Sequence, residues 1–149
     1  MRLFQRQQLI PTTIHDAWGF ISDPRNLSRI TPLSLDFKII SQVPLRVHEG
    51  LTIEYRVKPL FGIPVQWVSV IKDVHEPYSF VDEQLKGPYA SWQHTHVLKE
   101  CEGGVMMEDV IKYAPPGDRI FPFINGCLVV PQLNKIFDFR AKILKELFP

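Results

Sequence analysis

A chain of 149 residues, 45% apolar and 22% charged, has the composition of one globular domain over 1–149, able to bury a core without disulfides. Its 17 basic and 16 acidic side chains nearly cancel, so no excess charge points to nucleic acid or an anionic membrane. The two cysteines, Cys101 and Cys127, form neither a disulfide framework nor a CxxC metal motif.

Residues 2–10 alternate weakly as a strand that Pro11 ends. Thr12-Thr13 offers a helix cap, and Ile14, Ala17, Trp18 and Ile21 follow at helical spacing. Asp23-Pro24 starts a second short helix, with Leu27 and Ile30 on its buried side. Leu35, Phe37 and Ile39 alternate as a second strand, and Leu51, Ile53, Tyr55 and Val57 as a third. Residues 63–74 are β-branched and aromatic. Segments 79–86 and 91–100 flank a Gly87-Pro88-Tyr89-Ala90 turn, and 105–113 form the last strand. Then the period changes: Leu133, Ile136, Phe137, Arg140, Ile143, Leu144 and Leu147 mark one long terminal helix. Residues 119–130 read as a preceding helical segment, which Pro131 is expected to kink or break from it. No apolar run reaches the ~18 residues of a membrane span, so no stable membrane insertion is expected. Met1–Arg6 is too polar for a secretory leader, which favours a cytoplasmic location.

The order is strand, two short helices, six strands, long helix. It predicts an α+β fold in which a twisted seven-stranded antiparallel sheet wraps around the terminal helix. This order is similar to the helix-grip fold of the START/Bet v 1-like (SRPBCC) superfamily. Phe80-Val81-Asp82-Glu83-Gln84, Gly87-Pro88-Tyr89, Trp92-Gln93-His94-Thr95-His96, Asp109–Tyr113, Pro116-Gly117 and Ile136–Arg140 resemble a bacterial ligand-binding subgroup related to polyketide cyclase/dehydratase-like proteins. Pro131 departs from that pattern. The resemblance implies an internal cavity for an apolar small molecule and no cofactor. It does not fix an activity, because carriers, receptors and cyclases share the fold.

Glu102-Gly103 reads as a two-residue hairpin turn. It places His96 opposite Asp109, His94 opposite Ile111 and Trp92 opposite Tyr113, all on the inner face, with Lys99, Glu108 and Lys112 outside. The same parity across Gly87-Pro88-Tyr89 brings Phe80, Asp82 and Gln84 inward. Asp82, Gln84, His94, His96 and Asp109 thus stand among aromatics, where an unpaired neutral polar group costs roughly 2–7 kcal/mol. They could form a purely structural hydrogen-bond network, the polar end of a ligand pocket, or a metal site built on His-x-His and a carboxylate. The last is the weakest pattern, and no metal is expected.

His15, His48 and His75 fall on predicted surface, Cys101 borders a turn and Cys127 reads as helix packing; none has a base nearby in sequence. No nucleophile elbow, phosphate loop or dinucleotide fingerprint occurs.

The leading expectation is therefore a hydrophobic small molecule held between sheet and helix, in a cavity of about 300–1,000 Å³ reached near the short helices. Phe37, Ile53, Tyr55, Trp67, Ile71, Trp92, Ile111 and Tyr113 would form its walls. Asp82, Gln84, His94, His96 and Asp109 would supply the polar groups. The rival is a cyclase or dehydratase in which Asp109 orients His96 as general base. A third class, an interaction domain, would show a contiguous exposed apolar patch. The sequence leaves ligand identity, turnover and oligomeric state open.

Overall fold

In the computed structural model, which describes residues 1–59 and 62–149, the strands are β1 (Arg2–Ile10), β2 (Lys38–Ile39), β3 (Thr52–Val57), β4 (Val65–His75), β5 (Ser79–Lys86), β6 (Ser91–Cys101) and β7 (Gly104–Ala114). They form one 7-stranded sheet in the order β1-β7-β6-β5-β4-β3-β2, with every pairing antiparallel. Helix α1 (Ile14–Ile21) and a 3-10 helix (Pro24–Ile30) follow β1, and helix α2 (Val130–Leu147) closes the fold. The α+β helix-grip architecture expected from the element order is the one found.

Local chemistry explains the boundaries. The Thr13 hydroxyl accepts from the Asp16 N–H at 3.2 Å and starts α1. Asp23 accepts from the Arg25 N–H at 3.1 Å, with Pro24 next to it. That second element is a 3-10 helix. The expected strand over 35–39 shrinks to Lys38–Ile39, because Leu33–Leu35 winds into a 3-10 turn and Asp36 takes a left-handed φ of 47°. This turn buries Leu35 and pulls it out of the sheet.

The Glu102-Gly103 turn sets the expected register: His96 pairs with Asp109, His94 with Ile111 and Trp92 with Tyr113. On the other side of β6, Asp82 pairs with His94 and Phe80 with His96. Four neighbouring strand positions therefore bring their titratable groups to one patch of the inner face.

The helix begins differently from expectation. Pro131 does not break it away from the preceding segment; Asn125–Val129 forms a π-helical turn that runs directly into Val130. Proline cannot donate to the carbonyl of the fourth residue before it and crowds that carbonyl, and a widened turn relieves both problems. Leu133, Phe137, Arg140 and Leu144, at alternating steps of four and three residues, are the buried face of α2. Arg140 is its one charged member.

Candidate functional site

The interior has two halves. Towards the Gly87–Ala90 turn, aromatic side chains fill the space. Tyr55 stacks on Trp67 with ring centroids 5.6 Å apart, Trp67 meets Trp92 edge-on at 5.3 Å, and Trp92 touches Tyr89 at 4.7 Å. Tyr113 packs against Tyr89 and Trp92, and its hydroxyl donates to Asn125 Oδ1 at 2.7 Å. Towards the short helices, the space between sheet and α2 stays open as a cavity. Phe20, Leu27, Ile30, Ile53, Tyr55, Ile71, Phe80, Met107 and Leu144 are among its walls, and Ser69, Asp82, His96, Asp109 and Arg140 are its inner polar groups. The centre of a water molecule has about 70 Å³ to move in there. That is well below the expected size, because the aromatic half occupies the remaining volume.

The predicted site residues divide along this boundary. Asp82, His96 and Asp109 line the cavity. His94 is buried just behind them. Trp67, Trp92, Ile111 and Tyr113 belong to the aromatic half and do not line the cavity, nor does the expected wall residue Phe37. Gln84 has a different task. Its amide donates to the Tyr89 carbonyl at 2.9 Å and accepts from the Tyr89 N–H at 3.2 Å, clamping the turn. Arg140 and Ser69 are inner polar groups of the cavity that the sequence did not assign to the site. A lone arginine in an otherwise apolar helical stripe was the available signal for the first; nothing in the sequence marks the second.

At the cavity floor, Asp109 Oδ1 accepts from His94 Nε2 at 2.7 Å and from Arg140 Nη1 at 3.2 Å. His96 lies between two carboxylates, with Nε2 at 2.9 Å from Asp82 Oδ2 and Nδ1 at 3.4 Å from Asp109 Oδ1. The Nε2 contact is a hydrogen bond, and Nδ1 faces the second carboxylate at ion-pair distance. His94 needs only its Nε2 proton, because its Nδ1 lies 3.9 Å from Asp82, beyond hydrogen-bond reach. Strand register puts His96 opposite Asp109, yet the short bond to Asp109 comes from His94, one strand position away on the same face.

The electrostatics agree with this proton placement. Burial opposes a charged His96, but hydrogen bonds and charge from Asp109 and Asp82 outweigh it and raise its pKa. Burial and the neighbouring His96 lower His94. Burial pushes Asp109 up, but Arg140 and the two histidines hold it well below its ordinary value. For Asp82, burial is likewise outweighed, chiefly by His96, and its pKa falls. The two carboxylates thus face one guanidinium and two imidazoles, of which His96 is the one pushed towards its charged form. Phe80 stacks on His96 at 4.4 Å, and the Arg140 guanidinium lies 4.4 Å above the Phe137 ring, so aromatic faces cover both groups.

Ligand atoms of Asp82, His94 and His96 lie within 4.8 Å of one another. They make a poor cage for a cation. The two imidazoles stack with centroids 3.8 Å apart and planes 23° from parallel. Their nitrogens already face the Asp82 and Asp109 carboxylates, and the Arg140 guanidinium stands 3.2 Å from Asp109.

Elsewhere, His15, His48 and His75 are exposed, as expected. Cys127 is also exposed, which corrects its assignment to packing: the π-helical turn directs it outward. On the segment before that turn, Ile120 (75%), Phe121 (48%) and Phe123 (66%) expose large apolar surfaces away from the cavity.

No protein-family model matches the chain, and no curated protein resembles it significantly. Solved structures share its fold. A Chromobacterium violaceum protein superposes with TM-score 0.73 at 12% identity, over 99% of this chain and 98% of that one. A Thermus thermophilus protein gives 0.72 at 16% identity, over 97% and 95%. A Mycobacterium smegmatis protein gives 0.70 at 17% identity, over 97% and 92%. These likenesses establish the shared fold.

Proposed function

We propose that this chain is a ligand-binding protein of the START/Bet v 1-like type, holding a small apolar molecule between the sheet, the short helices and α2. One observation carries the reading: an apolar-walled cavity has a few converging polar groups on its floor, the usual construction of a small-molecule site. The limited volume favours a compact aromatic or short apolar metabolite over a long-chain lipid. The cyclase reading gains no support at His96, because a general base needs a free ring nitrogen and both of its nitrogens face carboxylates.

The direct test is toluene binding followed by methyl NMR. Toluene should shift Ile53, Ile71 and Leu144 methyl signals, and Ile71→Phe, which fills the space, should abolish the effect. Phe123→Ser should leave it unchanged, since that ring lies outside. Shifts that survive Ile71→Phe but vanish with Phe123→Ser would place binding on the surface and sink the proposal.

A further inference from the structure

We propose that the loop Arg119–Phe123 docks reversibly on an anionic lipid surface. The first observation is an apolar tip held outward by its own structure. Ile120 is 75%, Phe121 48% and Phe123 66% exposed, and the two rings meet edge to face with centroids 5.9 Å apart. The backbone beneath them is bonded to itself. The Phe121 N–H donates to the Gly117 carbonyl at 2.7 Å, and the Ile124 N–H to the Phe121 carbonyl at 3.1 Å. Arg2 of β1 braces the loop, donating to Asp118 Oδ1 from Nη2 at 2.9 Å and from Nε at 3.2 Å. A loop braced in this way keeps adjacent apolar side chains in water, the arrangement that marks a contact surface.

The second observation is charge. From Val110 to Phe137 the chain carries Lys112, Arg119 and Lys135, all exposed, against a single acid, Asp118. Arg2 already neutralises Asp118, so these cations have no carboxylate of their own segment to pair with. An apolar tip among basic side chains suits the boundary between acyl chains and anionic headgroups, and three side chains reach that boundary without any membrane span. A second copy of this chain suits it less. A two-fold contact would set the same cations against themselves, with Asp118 already engaged.

The tip also has a natural control at the far end of the molecule. The Ala90 N–H donates to the Ala114 carbonyl at 3.0 Å, so the loop leaves β7 beside the Gly87–Ala90 turn that follows β5. Leu45, 66% exposed, adjoins the Arg46–Glu76 ion pair at the hairpin that precedes β5.

The test is co-sedimentation with vesicles of equal parts phosphatidylcholine and phosphatidylglycerol, and with vesicles of phosphatidylcholine alone. The protein should bind the first about five-fold or more tightly than the second, and added salt should narrow the gap. Phe123→Ser and Ile120→Ser should each weaken binding to the anionic vesicles by roughly ten-fold, and Arg119→Gln by roughly five-fold. All three side chains are exposed, so Tm should not change. Leu45→Ser should bind like the unaltered protein; a loss there instead would place docking at the other end and overturn the proposal. Absence of binding to either vesicle overturns it too, as does binding that Phe123→Ser and Ile120→Ser leave intact. A lipid-free dimer in sedimentation velocity that Phe123→Ser turns into a monomer would assign the tip to a second copy, and would likewise overturn it.

Discussion

Asp109 illustrates how one side chain can hold several others in place. Its buried carboxylate faces His94, His96 and Arg140 at the cavity floor. Asp109→Ala should therefore destabilise the protein by roughly 3–5 kcal/mol in urea unfolding, because it strands a buried guanidinium as well as an imidazole. Replacing Asp109 and Arg140 together with apolar residues should recover a large part of that loss, since no orphaned charge remains. The histidines shape the pH dependence. His96, whose folded pKa is raised, stabilises fully below the ordinary histidine value of about 6.5, and its contribution is lost as pH rises through its folded pKa. His94, whose pKa is lowered, stabilises above that value and loses its contribution as pH falls through its folded pKa. Opposed in this way, the pair should place maximal stability near the ordinary histidine pKa. His96→Phe should flatten the alkaline limb of a Tm-against-pH curve and soften the acid limb, which burial of His94 still maintains.

At the scale of elements, turn chemistry was more legible than depth. Glu102-Gly103 sets the β6–β7 register because two residues there force a tight reversal, and Gly103 and Gly104 have φ of 90° and 146°. A Cβ on Gly104 would strike the Ile10 carbonyl oxygen at the end of β1. Gly104→Ala should accordingly cost about 1–3 kcal/mol, whereas Gly126→Ala, with open space around it, should be neutral or stabilising. Thermal melts of the two variants make the comparison. Alternation in a strand reveals which face a residue occupies, but not how far along the barrel it meets the helix. That is why Trp92, Ile111 and Tyr113 could be assigned inward correctly and still fall in the filled half. The partnership of Arg140 with Asp109 was hidden for the same reason: helical spacing identifies a stripe, while the strand residue it reaches depends on the docking height of α2. The expected second strand was too long because Leu33–Leu35 buries Leu35 through a turn that keeps the apolar pattern of a strand.

For the whole molecule, α2 is both a wall of the cavity and the cover of the sheet, so the fold should not survive its loss. A chain truncated at Pro131 should expose the inner faces of β1, β6 and β7 and lose cooperative unfolding; a sharp calorimetric melt of the fragment would contradict this architecture. The cavity's other wall is built more lightly. Around Pro24, Asn26, Leu27 and Ile30 it is a 7-residue 3-10 turn, held by less favourable hydrogen bonds than an α-helix provides. Local opening of such a segment costs far less than detaching α2 with its buried ion pair. Traffic between the interior and water is then governed kinetically by this turn. Hydrogen exchange should show its amides opening well before those of β6 and β7. A guest in the cavity should slow that early exchange, and its residence time should shorten when Leu27→Ala loosens the turn.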